Sequence, residues 1–254
     1  MTTGSMTSLT LSAIQYVSLD GGVAANVTEH IRLIEDAESH GARLVIFPEL
    51  SLTGYRLDLL EGPGDWLSAA DGRLDGIREI CRRTGITAVV GAAFKEDDGT
   101  PRLASLAIHP TGTIEPSFKT RLHGAEQELF VAGSHPLVLE VDGWKVALAL
   151  CLDAAHPAHA EWAARSGADV YAVSALYTAG EDHRLGLHLG ARAMDNRMFS
   201  VLANLGGATP SGPSCGLSGF WGPDGLPHGQ AAGTGTEVLT ASLQYSLLAR
   251  YRQP

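Results

Sequence analysis

Short apolar runs typical of buried β-strands alternate with helical patterns along this chain, and the alternation restricts the folds it can adopt. Residues 9–16 form the first run, residues 23–40 carry apolar side chains at helical spacing, and residues 43–47 form the second run. A helix between two such strands can cover one face of the sheet that they share. The chain therefore predicts an α/β architecture.

The rest of the chain continues the alternation and adds antiparallel pairs. Asp142-Gly143 separates two apolar runs and is the strongest hairpin signal in the sequence. On the last predicted helix, Leu187, Ala191 and Met194 are predicted to face inward. The remaining predicted strands cover residues 87–94, 103–108, 114–118, 137–141, 144–150, 170–174, 199–204 and 237–242, and the remaining predicted helices cover residues 71–84, 157–166 and 185–197.

Length and composition indicate one domain. The chain has 254 residues and a hydrophobic content of 44%, which is ample for a single packed core. We expect one domain over residues 9–243, preceded by a flexible N-terminus or an expression scar at residues 1–8. Residues 244–254 are predicted to form a C-terminal tail that either packs on a partner subunit or is loosely held.

Charge and cysteine content narrow the function classes. The formal net charge of −10 argues against nucleic acid or an anionic membrane as a partner and favours a small-molecule ligand. Cys81, Cys151 and Cys215 are widely spaced and odd in number, which predicts neither a disulfide framework nor a zinc site. No export signal or membrane span is evident, so we expect a cytoplasmic protein. The histidine spacing matches no metal motif, and no metal or other cofactor is predicted.

Three reactive side chains stand at or just past the ends of apolar runs: Glu49, Lys119 and Cys151. Strand ends meet at the edge of a sheet, where α/β proteins build their sites. A cysteine attacks as thiolate, so it needs a base such as Glu49, and Lys119 can stabilise the resulting oxyanion. Burial is expected to raise the pKa of Glu49. Each residue alone has an ordinary structural interpretation, and their joint occurrence predicts a nucleophilic catalyst.

At these segments the sequence resembles the nitrilase superfamily of carbon-nitrogen hydrolases, and the resemblance spans nearly the whole chain. Residues 47–55, Phe-Pro-Glu-Leu-Ser-Leu-Thr-Gly-Tyr, are similar to the family's opening block, whose glutamate, here Glu49, is the general base. Lys119 stands at the position of the family's lysine. Cys151-Leu-Asp153 is similar to the nucleophile motif, and a Cys-x-Asp form favours an amidase-like branch over nitrilases proper.

The resemblance implies an α-β-β-α sandwich of two mixed β-sheets flanked by helices, assembled at least as a homodimer. It implies hydrolysis of a non-peptide C–N bond through a thioester, with a small aliphatic amide, an ω-amide or an N-carbamoyl compound as substrate. Two alternatives use the same site, namely acyl transfer to an amine and nitrile hydrolysis. A catalytically inactive oligomeric scaffold is the alternative from another class.

The resemblance also implies a second glutamate between Lys119 and a Phe-x-x-Gly segment, and two residues are candidates. Glu126 is favoured because it lies seven residues from both Lys119 and Gly133, and Glu128 is the alternative. The backbone N–H of Leu152 is expected to bind the oxyanion together with Lys119.

Further residues are expected to form the substrate pocket. They are Tyr55, Asp153, His156, Ala175 and Tyr177, and loops at residues 57–66 and 177–183 are expected to shape it. The Arg-Phe-Pro-Glu run that follows the nucleophile in many amidase-like relatives is absent here, which leaves support of the nucleophile turn unassigned.

Overall fold

The computed structural model describes residues 7–134 and 136–253, and there two six-stranded β-sheets pack between layers of helices. In chain order the strands are β1 (Ser8–Gln15), β2 (Leu44–Ile46), β3 (Thr87–Lys95), β4 (Pro101–Ile108), β5 (Ile114–Phe118), β6 (Val138–Val141), β7 (Trp144–Leu150), β8 (Val170–Ala175), β9 (Phe199–Asn204), β10 (Ala208–Thr209), β11 (Gly212–Pro213), β12 (Gly219–Trp221), β13 (Pro227–Gln230) and β14 (Glu237–Gln244). Residues 1–6 of the predicted flexible N-terminus lie outside the described part of the chain.

Helices alternate with these strands. In chain order they are α1 (Gly22–Ser39), α2 (Asp75–Thr84), α3 (Glu126–Leu129), α4 (Leu152–Ala155), α5 (Pro157–Arg165), α6 (Asp182–Asn196) and α7 (Tyr245–Arg252), with 3₁₀ turns at Leu57–Glu61 and Gly72–Leu74. Among the described residues, no helix is both long and apolar enough to cross a bilayer.

The two sheets share one design, with parallel strands at the centre and antiparallel strands at the edges. The first sheet has the order β14-β1-β2-β3-β4-β5, and β1, β2 and β3 run parallel. The second has the order β13-β12-β9-β8-β7-β6, and β7, β8 and β9 run parallel. Parallel neighbours need a crossover connection, which α1, α2, α5 and α6 provide.

Aliphatic side chains fill the space between the sheets. Leu11, Leu44 and Ile46 of the first sheet share one buried cluster with Val146 and Val201 of the second. Each fully buried side chain of this kind contributes about 1.5–3 kcal/mol. Helices α1 and α2 cover the outer face of the first sheet, and α5 and α6 cover that of the second. The predicted α-β-β-α sandwich is confirmed.

The predicted inward face of α6 is wrong for two of its three residues. Leu187 is 69% exposed and Met194 is 54% exposed, whereas Leu185, Leu189 and Ala193 are buried. The helix carries two apolar stripes, and the sequence period alone does not say which one meets the sheet.

The region predicted as a C-terminal tail contains α7, which packs on its own chain. Leu248 is fully buried, and the ring of Tyr245 meets that of Trp144 edge-on with centroids 5.8 Å apart. Arg252 Nη1 forms an ion pair with Asp169 Oδ1 at 2.6 Å. These contacts hold α7 against the second sheet.

Candidate active site

The three reactive side chains begin where three strands end, and backbone hydrogen bonds continue past those ends. Beyond β2, Phe47 N donates to Val89 O at 2.9 Å, two residues before Glu49. Lys119 N, just past β5, donates to Leu103 O at 2.9 Å. Cys151 N, just past β7, donates to the strand β8 carbonyl of residue 174 at 2.9 Å. Glu49 and Lys119 thus come from one sheet and Cys151 from the other.

Lys119 forms the centre of a buried charge cluster. Its Nζ donates to Glu49 Oε1 at 2.7 Å and to Glu126 Oε1 at 2.7 Å. The side chains of Lys119 and Glu49 are fully buried and that of Glu126 is 1% exposed. A lysine ammonium has three N–H donors, so two are used here and one remains for a substrate.

Glu126, rather than Glu128, lies beside the lysine. Besides Lys119, Glu126 Oε1 accepts a hydrogen bond from Tyr55 OH, and its Oε2 accepts one from His123 N at 2.8 Å. Glu128, on the same short helix α3, is exposed. These three contacts hold the Glu126 carboxylate beside the lysine.

Cys151 sits on a strained turn between β7 and α4. Its φ of 43° and ψ of −100° are rarely adopted by a residue with a side chain, and such strain persists only where the surroundings enforce it. The enforcing group is Asp153: it accepts hydrogen bonds from Leu150 N at 3.3 Å and from Thr120 Oγ1 at 2.6 Å. The thiol faces Leu176 O, 3.7 Å away. Asp153 therefore joins the nucleophile turn to the segment that carries the lysine.

A buried arginine supports the other end of this turn. Arg192 of α6 is 7% exposed, and its guanidinium donates to Ala154 O at 2.9 Å and to Ala155 O at 3.2 Å. A cation at the C-terminal carbonyls of a helix is favourable. The support that the sequence left unassigned after the nucleophile thus comes from α6.

Burial and mutual charge set the protonation states of the cluster. Burial, together with the Glu126 charge, raises the pKa of Glu49 to about 7 against the opposing effect of Lys119. Burial and then the Glu49 charge raise the pKa of the Cys151 thiol, with Lys119 opposing. Burial acts to lower the pKa of Lys119, but Glu49, Cys151 and Glu126 outweigh it and raise the pKa. At neutral pH the thiol and ammonium are protonated while Glu49 titrates.

Glu49 also keeps a free acceptor. Its Oε2 is buried and has no hydrogen-bond partner among the described residues. Burying a carboxylate oxygen without a partner costs free energy, so such an atom indicates a site kept ready for a proton. The acceptor is available to the Cys151 thiol, whose interaction with Glu49 acts to lower the pKa of that carboxyl.

A cavity of about 330 Å³ opens onto these groups. Its lining includes the predicted Lys119, Glu126, Cys151 and Leu152 and the predicted pocket residues Tyr55 and Tyr177. The other lining residues are His123, Ala155, Leu176, Thr178, Glu181, Arg184, His188 and Ser211.

The other predicted site residues lie outside this lining. Glu49 is fully buried, and Asp153 is buried within the nucleophile turn. His156 is the residue before α5, and Ala175 is the buried last residue of β8. Conversely, Arg184 and His188 on α6 were not predicted, and the one signal for them is the polar face of the helix that follows the predicted 177–183 loop.

The described residues contain no group of three or more His, Cys, Asp or Glu side chains placed to hold a metal ion. The reactive groups at the cavity are the Cys151 thiol, the Glu49 carboxylate with its free oxygen and the Lys119 ammonium that two carboxylates share. Such a set can form and break a bond to a carbonyl carbon.

The chain is similar to several known proteins in sequence and in structure. A protein from Pseudomonas protegens named "Hydrolase in pqqF 5'region" is 31% identical over 193 residues, which are 74% of this chain and 67% of that protein. A nitrilase from Pyrococcus abyssi is 28% identical over 233 residues, 89% of this chain and 86% of the relative. The structure of a mutant amidase from Nesterenkonia sp. AN1 superposes with a TM-score of 0.84 at 25% identity, covering 96% of both chains.

The model of one family matches almost the entire chain. It is the carbon-nitrogen hydrolase model, and it covers residues 10–253, from the first strand through α7. The match includes every strand end that carries a reactive side chain. The protein, with its shared lysine and its thiol on a strained turn, therefore belongs to the carbon-nitrogen hydrolase family.

Proposed function

We propose that the protein hydrolyses a small amide through a thioester on Cys151. The observation that carries the proposal is the buried Lys119 ammonium shared by Glu49 and Glu126 beside a cavity that exposes the thiol. Structural ion pairs are seldom this deeply buried, because the desolvation cost exceeds the gain unless every partner is held. A cluster of this kind next to a nucleophile favours catalysis over a purely structural role.

The first half of the reaction uses the free oxygen of Glu49. Glu49 accepts the thiol proton as Cys151 Sγ attacks the amide carbon, and the carbonyl becomes an oxyanion. The third N–H of Lys119 and the backbone N–H of Leu152 donate hydrogen bonds to that oxyanion. Glu49 then passes its proton to the departing nitrogen, the C–N bond breaks, and ammonia leaves a thioester on Cys151.

The second half repeats the proton transfer with water. Glu49 accepts a proton from a water molecule that attacks the thioester carbon, and the oxyanion forms at the same place. When the C–S bond breaks, the sulfur takes the proton from Glu49, and the acid leaves. Throughout, Glu126 and Tyr55 hold Lys119 in position.

Hydrolysis of amides is preferred over the alternative reactions for two reasons. The cavity is lined by charged and polar side chains such as Glu181 and His188, so water has access to the thioester, whereas acyl transfer needs its exclusion. Cys151-Leu-Asp153 has the amidase-like form, and the relatives include an amidase as well as a nitrilase. Glu49, Lys119 and Cys151 are all assembled, which argues against an inactive scaffold.

The proposal is tested by product and adduct analysis together. Ammonia release is measured on aliphatic amides, ω-amidic acids, N-carbamoyl amino acids and nitriles, and quenched samples are analysed by intact mass and peptide mapping. We expect ammonia and an acyl adduct on Cys151, with none on Cys81 or Cys215. Ammonia without an adduct on Cys151, or no turnover across the panel, would contradict the proposal.

The pH dependence of kcat/KM should report the ionisation of Glu49. Because the ionised carboxylate is the form that accepts the thiol proton, we expect kcat/KM to rise with pH through a midpoint at about 7, the pKa of Glu49. Below the midpoint the rate should fall about tenfold per pH unit. A stopped-rate assay from pH 5 to 8 checks this. A step that persists in Glu49→Gln would assign the ionisation to another group.

Gly91 should be essential for the position of Glu49. A Cβ at Gly91, on β3, would lie 2.2 Å from Pro48 O and 2.4 Å from Leu50 N, so the backbone on both sides of Glu49 would have to move. For Gly91→Ala we expect a loss of roughly 1–3 kcal/mol of stability and a rate loss of roughly 100-fold. Chemical denaturation and ammonia release measure the two effects.

Gly62→Ala is the matched control for this substitution. A Cβ at Gly62 meets no atom within 4 Å, so the same change should leave both stability and rate near those of the original protein. Equal behaviour of the two variants would show that the close approach of β3 does not position the base.

A further inference from the structure

Besides the reactive groups, a second set of polar side chains lines the cavity. Thr178, Glu181 and Arg184 line it together with His188, and they come from the loop after β8 and the first turns of α6. The proposed reaction uses none of these side chains. Their arrangement bears on which substrate the cavity accepts.

Glu181 is an anchored carboxylate with both oxygens occupied. Its Oε2 accepts hydrogen bonds from Thr178 N at 2.9 Å and from Thr178 Oγ1 at 2.8 Å. Its Oε1 accepts one from Arg184 Nη1 at 3.0 Å. Glu181 thereby holds the guanidinium of Arg184 beside the cavity.

The guanidinium of Arg184 has N–H groups that form no hydrogen bond with the described residues. A guanidinium carries five N–H groups, and among the described residues Glu181 is its one hydrogen-bond partner, through Nη1. The side chain is 50% exposed and lines the cavity. Next to it, burial and the Arg184 charge lower the pKa of His188, so its ring is neutral and adds no positive charge. Within this second set of polar side chains, Arg184 is the charged donor with unused N–H groups.

We propose that Arg184 binds a carboxylate at the far end of the substrate, so that the enzyme acts on ω-amidic acids in preference to simple aliphatic amides. This inference rests on the proposed function and names its substrate class. A guanidinium fork matches a carboxylate with two parallel N–H···O bonds. Arg184 would then be shared by two carboxylates, as Lys119 is shared by Glu49 and Glu126.

The size of the cavity agrees with such a substrate. A water molecule takes up about 30 Å³. If each non-hydrogen atom of a ligand takes up about as much, a cavity of about 330 Å³ holds a ligand of roughly ten such atoms. A five-carbon ω-amidic acid has this size, and its amide and carboxylate lie at opposite ends of the chain. Cys151 and Arg184 line the same cavity, so a bound molecule of this kind would place its amide at Cys151 and its carboxylate at Arg184.

The test compares glutaric acid monoamide with pentanamide, which has the same five-carbon chain and no carboxylate. For Arg184→Gln we expect the ratio of kcat/KM for the acid to that for pentanamide to fall about 10- to 100-fold, mainly through KM for the acid. Arg184→Lys keeps the charge but loses the forked geometry, so its ratio should lie between those of the original protein and Arg184→Gln. The matched control is Arg32→Gln on α1, because Arg32 also pairs with a glutamate three residues earlier but lies outside the cavity lining.

A binding measurement separates this inference from the proposed function. Calorimetry of glutaric acid monoamide with Cys151→Ala needs no turnover. When Arg184→Gln is added to this variant, the affinity should fall by the same factor as the kcat/KM ratio. An unchanged ratio and unchanged binding, or a wild-type preference for pentanamide, would overturn the inference and leave amide hydrolysis intact. Binding that depends on Arg184 without turnover of either compound would support the subsite and overturn the proposed reaction.

Discussion

Replacing Cys151 by alanine is expected to lower ammonia release by at least about 10⁴-fold, because Cys151 is the one thiol among the described residues that line the cavity. The cavity, the Lys119 cluster and the Leu152 N–H all remain, so any residual rate would come from substrate binding and oxyanion stabilisation alone. Loss of one sulfur atom at the mouth of a cavity removes little packing. The thermal midpoint should therefore stay within a few degrees of the original.

The matched control is Cys215→Ala. Cys215 is also a half-buried thiol, and burial raises its pKa to about 11, but it lies outside the cavity lining. We expect this variant to keep nearly full activity. Ammonia release is measured on both variants with the best substrate of the panel. An active Cys151→Ala, or an inactive but folded Cys215→Ala, would exclude Cys151 as the sole nucleophile.

Replacing Lys119 by methionine should damage stability as well as catalysis. The ammonium is 2.7 Å from each of two buried carboxylates, and its removal leaves Glu49 and Glu126 facing each other without a cation. Breaking a buried ion pair by removing one partner costs about 3–5 kcal/mol. Loss of an oxyanion donor adds a rate decrease of about 10²–10³-fold.

The destabilisation of Lys119→Met should depend on pH with a definite sign. Without the ammonium, which acts to lower the pKa of Glu49, that pKa rises further, so the folded variant binds a proton that the unfolded chain releases. The variant should therefore regain stability relative to the original protein as the pH falls from 7 toward 5. Urea unfolding at both pH values measures this.

Lys145→Met is the control for Lys119→Met. Lys145 is an exposed lysine on β7, so the same substitution should change the free energy of unfolding little at either pH. If Lys119→Met shows no larger loss than Lys145→Met, or a loss that is independent of pH, the two carboxylates are not held apart by the ammonium.

The positions of Glu49, Lys119 and Cys151 could be predicted because each follows an apolar run long enough to read as a strand. The pairing of two sheets then brings these ends together, and the sequence signal needs no knowledge of side-chain contacts. The choice between Glu126 and Glu128 is different. Both lie on α3, and the one that points inward is the one that accepts hydrogen bonds from Tyr55 OH and His123 N.

The remaining polar lining of the cavity could not be predicted, for a related physical reason. Arg184 and His188 lie on a helix whose register against the sheet is chosen by packing, and the same ambiguity misplaced Leu187 and Met194. Ser211 reaches the cavity from the turn between β10 and β11, which has no signature beyond a Gly- and Pro-rich loop. Residues placed by tertiary contact alone leave no local pattern.

The place of β1 in the first sheet has a consequence for biosynthesis. One side of β1 pairs with β2, and the other pairs along its full length with β14, from Ser8 with Gln244 to Gln15 with Glu237. A chain emerging from the ribosome therefore carries β1 with one edge unpaired until residues 237–244 have been made. Open strand edges invite pairing with other chains. Until β14 has been made, the nascent chain is therefore exposed to edge-to-edge pairing with other chains at β1.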